Sequence, residues 1–131
     1  MNWKNEYKLD IPVIDAQHKQ LFRFNEELQN AMAKGIKVSS INTLLTQIKQ
    51  YAARHFVMEE KYMEDSNYPE IQEQKDAHAA FVTRFSEIQE EFNKQGITPT
   101  LVDQIHNELI KWINEHITGL DQIFGDYYRK C

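Results

Sequence analysis

Five histidines are spread along the chain, and their neutral ring nitrogens are common ligands of transition metals. They are His18, His55, His78, His106 and His116. A single histidine on a helix is more often a surface or ordinary core residue than a ligand. A metal site is therefore indicated only if several of these side chains converge in the fold.

Two carboxylates follow histidines at short spacings in the sequence. Glu59 follows His55 by four residues, which is one turn along the same helix face. Asp121 follows His116 by five residues, just past Gly119, where a helix can loosen and redirect a side chain. Burying such groups without partners would cost several kcal/mol for each charge, and metal ions remove that cost. Imidazole and carboxylate without thiolate suit iron, manganese or zinc.

Four segments with helical periodicity must position these residues. The first two are separated by Gly35 and a pair of serines suited to N-capping, Ser39 and Ser40. The first segment follows Ile11-Pro12-Val13-Ile14 and ends at Gly35. The second segment runs to about Met63, before the break at Asp65-Ser66-Asn67. The serine pair predicts that the second helix begins just after Ser40.

The third and fourth segments each begin at a proline, which suits a first helical turn. The third is predicted to start near Tyr68-Pro69 and to end at Gly96. The fourth is predicted to start at Thr98-Pro99 and to end at Gly119. The tail from Leu120 to Tyr128 could form a short helix.

The predicted fold class is all-α, an up-down-up-down four-helix bundle with an extended N-terminal arm of about 14 residues and a short C-terminal helix. In antiparallel neighbours, residues equidistant from the connecting loop lie at one height. His18 and His55 lie about 19 and 18 residues on either side of residue 37, and His78 and His116 bracket residue 96 similarly. One histidine from each helix therefore falls in one layer. His106 would lie about 15 Å away along the axis, as a surface or ordinary polar residue.

Composition limits the classes of protein that fit. The chain has 131 residues, 41% of them hydrophobic, and a net charge of −5, which predicts one domain over residues 1–131 and no nucleic-acid partner. Its single cysteine, Cys131, excludes a disulfide framework. Neither a signal-like apolar run nor a membrane-length one occurs, so we expect a cytoplasmic protein without a membrane partner. The bundle core accounts for the amphipathic faces, which favours a monomer.

Three motifs resemble those of the hemerythrin family in its single-domain bacterial form. His55-Phe56-Val57-Met58-Glu59-Glu60-Lys61-Tyr62-Met63 is similar to its H-F-x-x-E-E-x-x-M signature. Asp15-Ala16-Gln17-His18-Lys19-Gln20-Leu21 resembles the D-x-Q-H-x-x-L motif of its first helix. Trp112-Ile113-Asn114-Glu115-His116-Ile117 with Asp121 resembles its W-x-x-x-H-I-x-x-x-x-D ending. The resemblance covers the whole chain.

The resemblance implies a cofactor of two iron ions with an oxo or hydroxo bridge. His18 and His55 would ligate one iron and His78 and His116 the other. Glu59 and Asp121 would bridge the pair. It further implies that dioxygen binds in an apolar pocket, lined by Leu21, Phe56, Trp112, Ile113 and Ile117. The neighbouring ferritin-like class needs Glu-x-x-His on two helices, and this sequence has none.

Gln74 departs from the family pattern. It stands four residues before His78, where the family carries a fifth histidine ligand. An amide oxygen is a harder and weaker donor toward iron than imidazole. Three outcomes stay open: Gln74 ligates through its oxygen, leaves room for water, or leaves the second iron weakly held.

The predicted function is a dioxygen-binding di-iron protein that serves oxygen storage, delivery (transport) or sensing. The alternative is a di-iron enzyme acting on peroxide, nitric oxide or ferrous iron, with peroxidase-like or nitric oxide-related activity favoured by an opened site at Gln74. A third reading is an interaction module whose metal is structural or mostly absent.

Overall fold

The computed structural model describes residues 3–131, and Met1 and Asn2 lie outside the described part. Within it the chain forms five helices: α1 Pro12–Ala33, α2 Val38–Asp65, α3 Ile71–Gln95, α4 over residues 99–118 and α5 Leu120–Arg129. The first four form a ring in which each packs on the next and α4 returns to α1. The predicted all-α bundle and the short C-terminal helix are confirmed.

Two predicted helix ends agree with the structure for the expected physical reasons. Gly35 follows the end of α1 with a φ of 65°, a value that glycine tolerates easily. The Thr98 side chain accepts a hydrogen bond from Leu101 N at 3.1 Å and so caps α4. These helix ends follow from local chemistry alone.

Other predicted boundaries were wrong. Helix α2 begins at Val38, so Ser39 and Ser40 lie inside its first turn, because the Lys37 carbonyl already accepts from Ser40 N at 3.0 Å. Helix α3 begins at Ile71, and Pro69 lies in the preceding turn. That turn follows Asn67, whose φ of 55° reverses the chain before the helix can start.

The N-terminal arm is shorter than the predicted length of about 14 residues, because Pro12 already starts α1. Within the arm, Asn5–Tyr7 form a 3-10 turn. Leu9 is fully buried, and its backbone N donates to the Asp15 carboxylate at 2.8 Å. The arm is therefore tied to the first turn of α1.

Two apolar clusters pack the bundle. The larger one, called the main core here, runs along α1 to α4 and includes Leu21, Phe56, Phe85 and Ile113. The smaller one, called the arm core, joins the arm to the start of α1, the end of α2 and α5. It consists of Leu9, Ile11, Ile14, Met63, Tyr68 and Phe124. His18 lies between Ile14 and Leu21 on α1, so the predicted layer falls between these two clusters.

Helix α4 contains an irregular turn that periodicity did not predict. Pro99–Gln104 is α-helical, Ile105–Ile110 is π-helical, and Lys111–Thr118 is α-helical again. Buried Asn25 on α1 donates to the Ile110 carbonyl at 3.4 Å and to Asn114 Oδ1 at 3.3 Å. The wider turn shifts the phase of the helix ahead of His116.

Over residues 3–131, none of the helices combines the length and the apolar character that crossing a bilayer requires.

Candidate metal centre

Six of the predicted ligands converge in one buried layer. None of them is more than 7% exposed, and they come from α1, α2, α3, α4 and α5. They are His18, His55, Glu59, His78, His116 and Asp121. Each side chain offers a nitrogen or carboxylate oxygen suited to a metal ion.

The six residues form two overlapping groups of four, and within each group the ligand atoms all lie within 4.8 Å of one another. The first position consists of His18, His55, Glu59 and Asp121. The second position consists of Glu59, His78, His116 and Asp121. The two carboxylates are common to both positions, as expected for groups that bridge two ions.

The first position is compact around the Glu59 carboxylate. Glu59 Oε2 lies 2.9 Å from His18 Nε2 and 3.2 Å from His55 Nε2. His18 Nε2 lies 3.2 Å from Asp121 Oδ2 on the other side. His18 thus faces both shared carboxylates, and His55 faces Glu59.

The second position brings two imidazoles together. His78 Nε2 and His116 Nε2 are 3.1 Å apart. His78 Nε2 lies 3.3 Å from Glu59 Oε1, and His116 Nε2 lies 3.3 Å from Asp121 Oδ1. These atoms converge on one point, as ligands of a common ion do.

Unsatisfied polar atoms show that the layer fits cations. His55 Nε2, Glu59 Oε1 and Asp121 Oδ2 are buried without a hydrogen-bond partner. Orphaned buried polar atoms are rare in folded proteins, since each costs about 1–3 kcal/mol. Two divalent ions at the two positions would satisfy these atoms. The donor set of imidazole and carboxylate suits iron.

Outer partners orient two of the imidazoles. His55 Nδ1 donates to Gln17 Oε1 at 2.7 Å, and His78 Nδ1 donates to Glu60 Oε2 at 2.8 Å. Each bond places the ring proton on Nδ1 and leaves Nε2 free toward the layer. Sequence reasoning quoted Gln17 and Glu60 within motifs but assigned them no role.

The shared carboxylates and the histidines of the layer shift one another's pKa values. Burial lowers the pKa of His18, but the adjoining carboxylates of Asp121 and Glu59 outweigh that effect and raise this pKa to about 10. Burial raises the pKa of Glu59, yet the His55 charge and the close contacts with His18, His55 and His78 hold this pKa well below its usual value. A site that attracts protons this strongly attracts metal cations as well.

Gly119 places Asp121 beside the histidines. Its backbone has a φ of −112° and a ψ of −93°, and it separates α4 from α5. A Cβ at this residue would lie 2.8 Å from the Glu115 carbonyl oxygen. Only glycine allows the chain to turn so closely, and this turn brings Asp121 back toward His116.

The five predicted pocket residues belong to the main core or pack on it, and two of their rings contact histidines of the layer. Leu21, Phe56, Ile113 and Ile117 are buried in the main core, and Trp112 is partly buried against it. The Phe56 ring stacks on His78 with centroids 3.9 Å apart. The Trp112 ring stacks on His116 with centroids 4.5 Å apart. Apolar side chains therefore cover the second-position histidines as well as the core.

Gln74 lies beside the second position. Its side chain is 1% exposed, and its Nε2 donates to Asp121 Oδ1 at 3.2 Å. Its Oε1 is buried without a partner. His106 is exposed on α4, where its ring bonds to the Gln29 side chain at 3.4 Å. His106 lies outside the layer, as predicted.

A buried layer of histidine and carboxylate side chains inside a helical bundle defines a class of non-haem metal-binding proteins. The family model of the hemerythrin HHE cation binding domain matches residues 9–128. The chain belongs to the hemerythrin family, whose members bind a di-iron centre.

Several curated relatives are similar over nearly the whole chain. A bacteriohemerythrin of Clostridium acetobutylicum is 29% identical, and the match covers 95% of this chain and 98% of that protein. Bacteriohemerythrins of Pseudomonas aeruginosa and Stenotrophomonas maltophilia are 28% and 27% identical, covering 97% and 95% of this chain and 80% and 78% of their own lengths.

Proposed function

We propose that this protein binds dioxygen reversibly at a di-iron centre. The observation that carries the proposal is the pair of buried four-residue groups that share Glu59 and Asp121 beneath an apolar wall. Such a layer can hold two ions a short distance apart, which is what a two-iron reaction with one dioxygen molecule needs.

Each residue has a distinct task in this proposal. His18 and His55 would hold one ion, His78 and His116 would hold the other, and Glu59 and Asp121 could serve both. When bound, the two irons supply the electrons that dioxygen takes up and gives back. The protein contributes fixed ligands and a dry surrounding.

The apolar pocket makes reversibility reasonable. Leu21, Ile113 and Ile117 are each no more than 2% exposed, and Phe56 is 5% exposed. These side chains offer no proton to a bound small molecule and leave little room for water. Slow access of water and protons disfavours irreversible loss of reduced oxygen species.

The first test is iron content per chain, combined with visible spectra in air and after oxygen is removed. We expect two irons per chain and an oxygen-dependent band that disappears under argon and returns in air over several cycles. A ferric spectrum that never reverts would contradict reversible binding.

An enzymatic role is the second candidate, and Gln74 is the observation that favours it. Its buried amide replaces an imidazole, so the second ion gains a weak oxygen donor or an exchangeable water in place of a nitrogen ligand. Exchangeable positions on both ions favour turnover of peroxide, nitric oxide or ferrous iron. Steady-state consumption of any of these by the iron-loaded protein, lost on Gln74→His, would support this candidate.

The physiological part of the proposal is oxygen storage, delivery or sensing by a cytoplasmic monomer formed by residues 1–131 as one domain. Light scattering after size-exclusion chromatography measures the mass of the particle. A dimer at micromolar concentration would overturn the monomer, and membrane association on cell fractionation would overturn the location.

A further inference from the structure

The imidazoles of the layer differ in the hydrogen-bond partner of Nδ1, the ring nitrogen that points away from the layer. His55 has the neutral amide of Gln17 at 2.7 Å, whereas His78 has the carboxylate of Glu60 at 2.8 Å. His18 Nδ1 is buried without a partner. Among the contacts of residues 3–131, His78 is thus the imidazole of this layer whose outer nitrogen meets a carboxylate.

The charged partner stands behind the position that has lost a nitrogen ligand. Gln74 lies next to Asp121 in the second position, and His78 is one turn further along α3. The first position has two imidazoles and the two shared carboxylates, and none of its four residues comes from α3. An anionic hydrogen-bond acceptor makes an imidazole a stronger donor to a metal and fixes its orientation.

The Glu60 carboxylate is free to serve His78. Its side chain is 24% exposed at the surface between α2 and α3. The nearby cation Lys75 pairs instead with Glu64, at 3.0 Å. On its inner side, the His78 ring is held by Phe56, with ring planes 8° apart. His78 is therefore fixed by stacking on one side and by a charged hydrogen bond at its edge.

We propose that Glu60 is a positioning residue that retains the second ion despite the replacement of an imidazole by Gln74. This inference rests on the ligand set of the proposed function. Through Nδ1 of His78, Glu60 strengthens the Nε2 donor and supplies negative charge. The carboxylate compensates for the weaker donor at residue 74.

The test uses the full-length protein, made metal-free, loaded anaerobically with ferrous iron and passed through a desalting column. Four proteins form a cycle: the wild type, Glu60→Gln, Gln74→His and the double variant. Glu60→Gln keeps the shape and a hydrogen-bond acceptor but removes the charge. Glu64→Gln on the same helix is the matched control, because it removes a carboxylate that touches no imidazole.

We expect about 10- to 100-fold weaker binding of the second ferrous ion in Glu60→Gln. This variant should retain about one iron per chain, whereas wild type, the Glu64→Gln control and the double variant retain about two. Rescue by Gln74→His is a result that a merely structural role of Glu60 would not produce. Circular dichroism of each metal-free variant confirms folding.

Two irons retained in Glu60→Gln, or only one in the double variant, would overturn the inference. One iron in the wild type would overturn it as well, because Glu60 would then fail to retain the second ion. Oxygen-dependent spectra of the wild type test the proposed function separately. A reversible wild type with an unaffected Glu60→Gln variant refutes this inference alone.

Discussion

The two positions of the metal layer share both carboxylates but differ in what surrounds their histidines. The first position draws His18 and His55 from α1 and α2 and has a neutral outer partner in Gln17. The second draws His78 and His116 from α3 and α4, has a charged outer partner in Glu60, and adjoins the amide of Gln74. The two positions therefore offer the same kinds of donor atom but have different outer partners.

If Gln74 stands in place of a histidine ligand, as the family resemblance implies, the layer forms without that ligand. The helices, the carboxylates and the aromatic stacking on His78 and His116 stay in place around Gln74. We therefore expect Gln74 to alter the affinity of the second position more than the geometry of the layer. The predictions below separate what both positions share from what belongs to one of them.

The largest effect is expected where the two positions overlap. Glu59→Gln replaces a shared carboxylate by an amide, so binding of both ferrous ions should weaken by on the order of 100-fold or more. Replacing a buried charge should leave the metal-free protein at least as stable as the wild type. Titration with ferrous iron and thermal melts of the metal-free protein measure the two effects.

Exposed Glu27 on α1 provides the control, since Glu27→Gln changes the same chemical group outside the layer. Tight binding of one iron by Glu59→Gln would contradict the bridging role of this carboxylate.

The next effect concerns the turn that carries Asp121. Gly119→Ala would place a Cβ 2.8 Å from the Glu115 carbonyl oxygen, so the α4–α5 junction must shift. We expect a loss of about 1–3 kcal/mol in the free energy of unfolding. Because Asp121 serves both positions, affinity should fall at both, which chemical denaturation and iron titration would measure.

Equal stability of Gly119→Ala and wild type would show that the junction relaxes without strain. Loss of only one iron would show that Asp121 serves one position.

A smaller and one-sided effect is expected for the outer partner of the first position. Gln17→Leu removes the acceptor of the His55 Nδ1 proton, which lies 2.7 Å away. Binding at the first position should weaken about 10-fold, because the ring loses its fixed orientation. Competition with a chelator resolves the two binding steps. Binding at the second position should be the same in Gln17→Leu as in the Glu64→Gln control. A weakening of both steps would remove the distinction between the two partners.

The smallest effect is expected far from both positions. Arg84 on α3 donates two hydrogen bonds at 2.9 Å to Glu108 on α4, and these bonds lower the pKa of Glu108 below 4.5. Both side chains are 41% exposed, so solvent screens the pair. Glu108→Gln should cost about 0.2–1 kcal/mol at neutral pH.

The pH dependence of that cost follows from the sign of the shift. A lowered pKa in the folded state means that the carboxylate stabilises the protein above pH 4.5 and loses this contribution as the pH falls through its folded pKa. Denaturation of wild type and Glu108→Gln should therefore differ at pH 7 and converge in acid. A difference that grows in acid would contradict the assignment.

The bundle and the layer could be predicted because both depend on short-range rules. Glycine, proline and the threonine cap mark several helix ends, and short loops make neighbouring helices antiparallel. Counting from each loop then places His18, His55, His78 and His116 at one height, and the structure brings them together. Charges that converge in a core leave few alternatives to a metal.

What could not be predicted depends on tertiary contacts. The predicted start of α2 was wrong because the first backbone hydrogen bonds of the helix are accepted by the Lys37 carbonyl and not by a serine side chain. The bonds from His55 to Gln17 and from His78 to Glu60 join different helices, so no spacing along one helix reveals them. The same holds for the Gln74 amide, whose partner is 47 residues away.

The π-helical turn at Ile105–Ile110 makes α4 tolerant of a change in length. A turn with i→i+5 bonds holds one residue more than an α-helical turn over the same contacts. A deletion of one residue inside it would yield a regular helix whose two ends keep their neighbours, whereas a deletion elsewhere in α4 would rotate His116 by about 100° away from the layer. A chain with one residue fewer in this turn could thus keep the same centre. The turn is therefore the place in α4 where an insertion or deletion of one residue is tolerated.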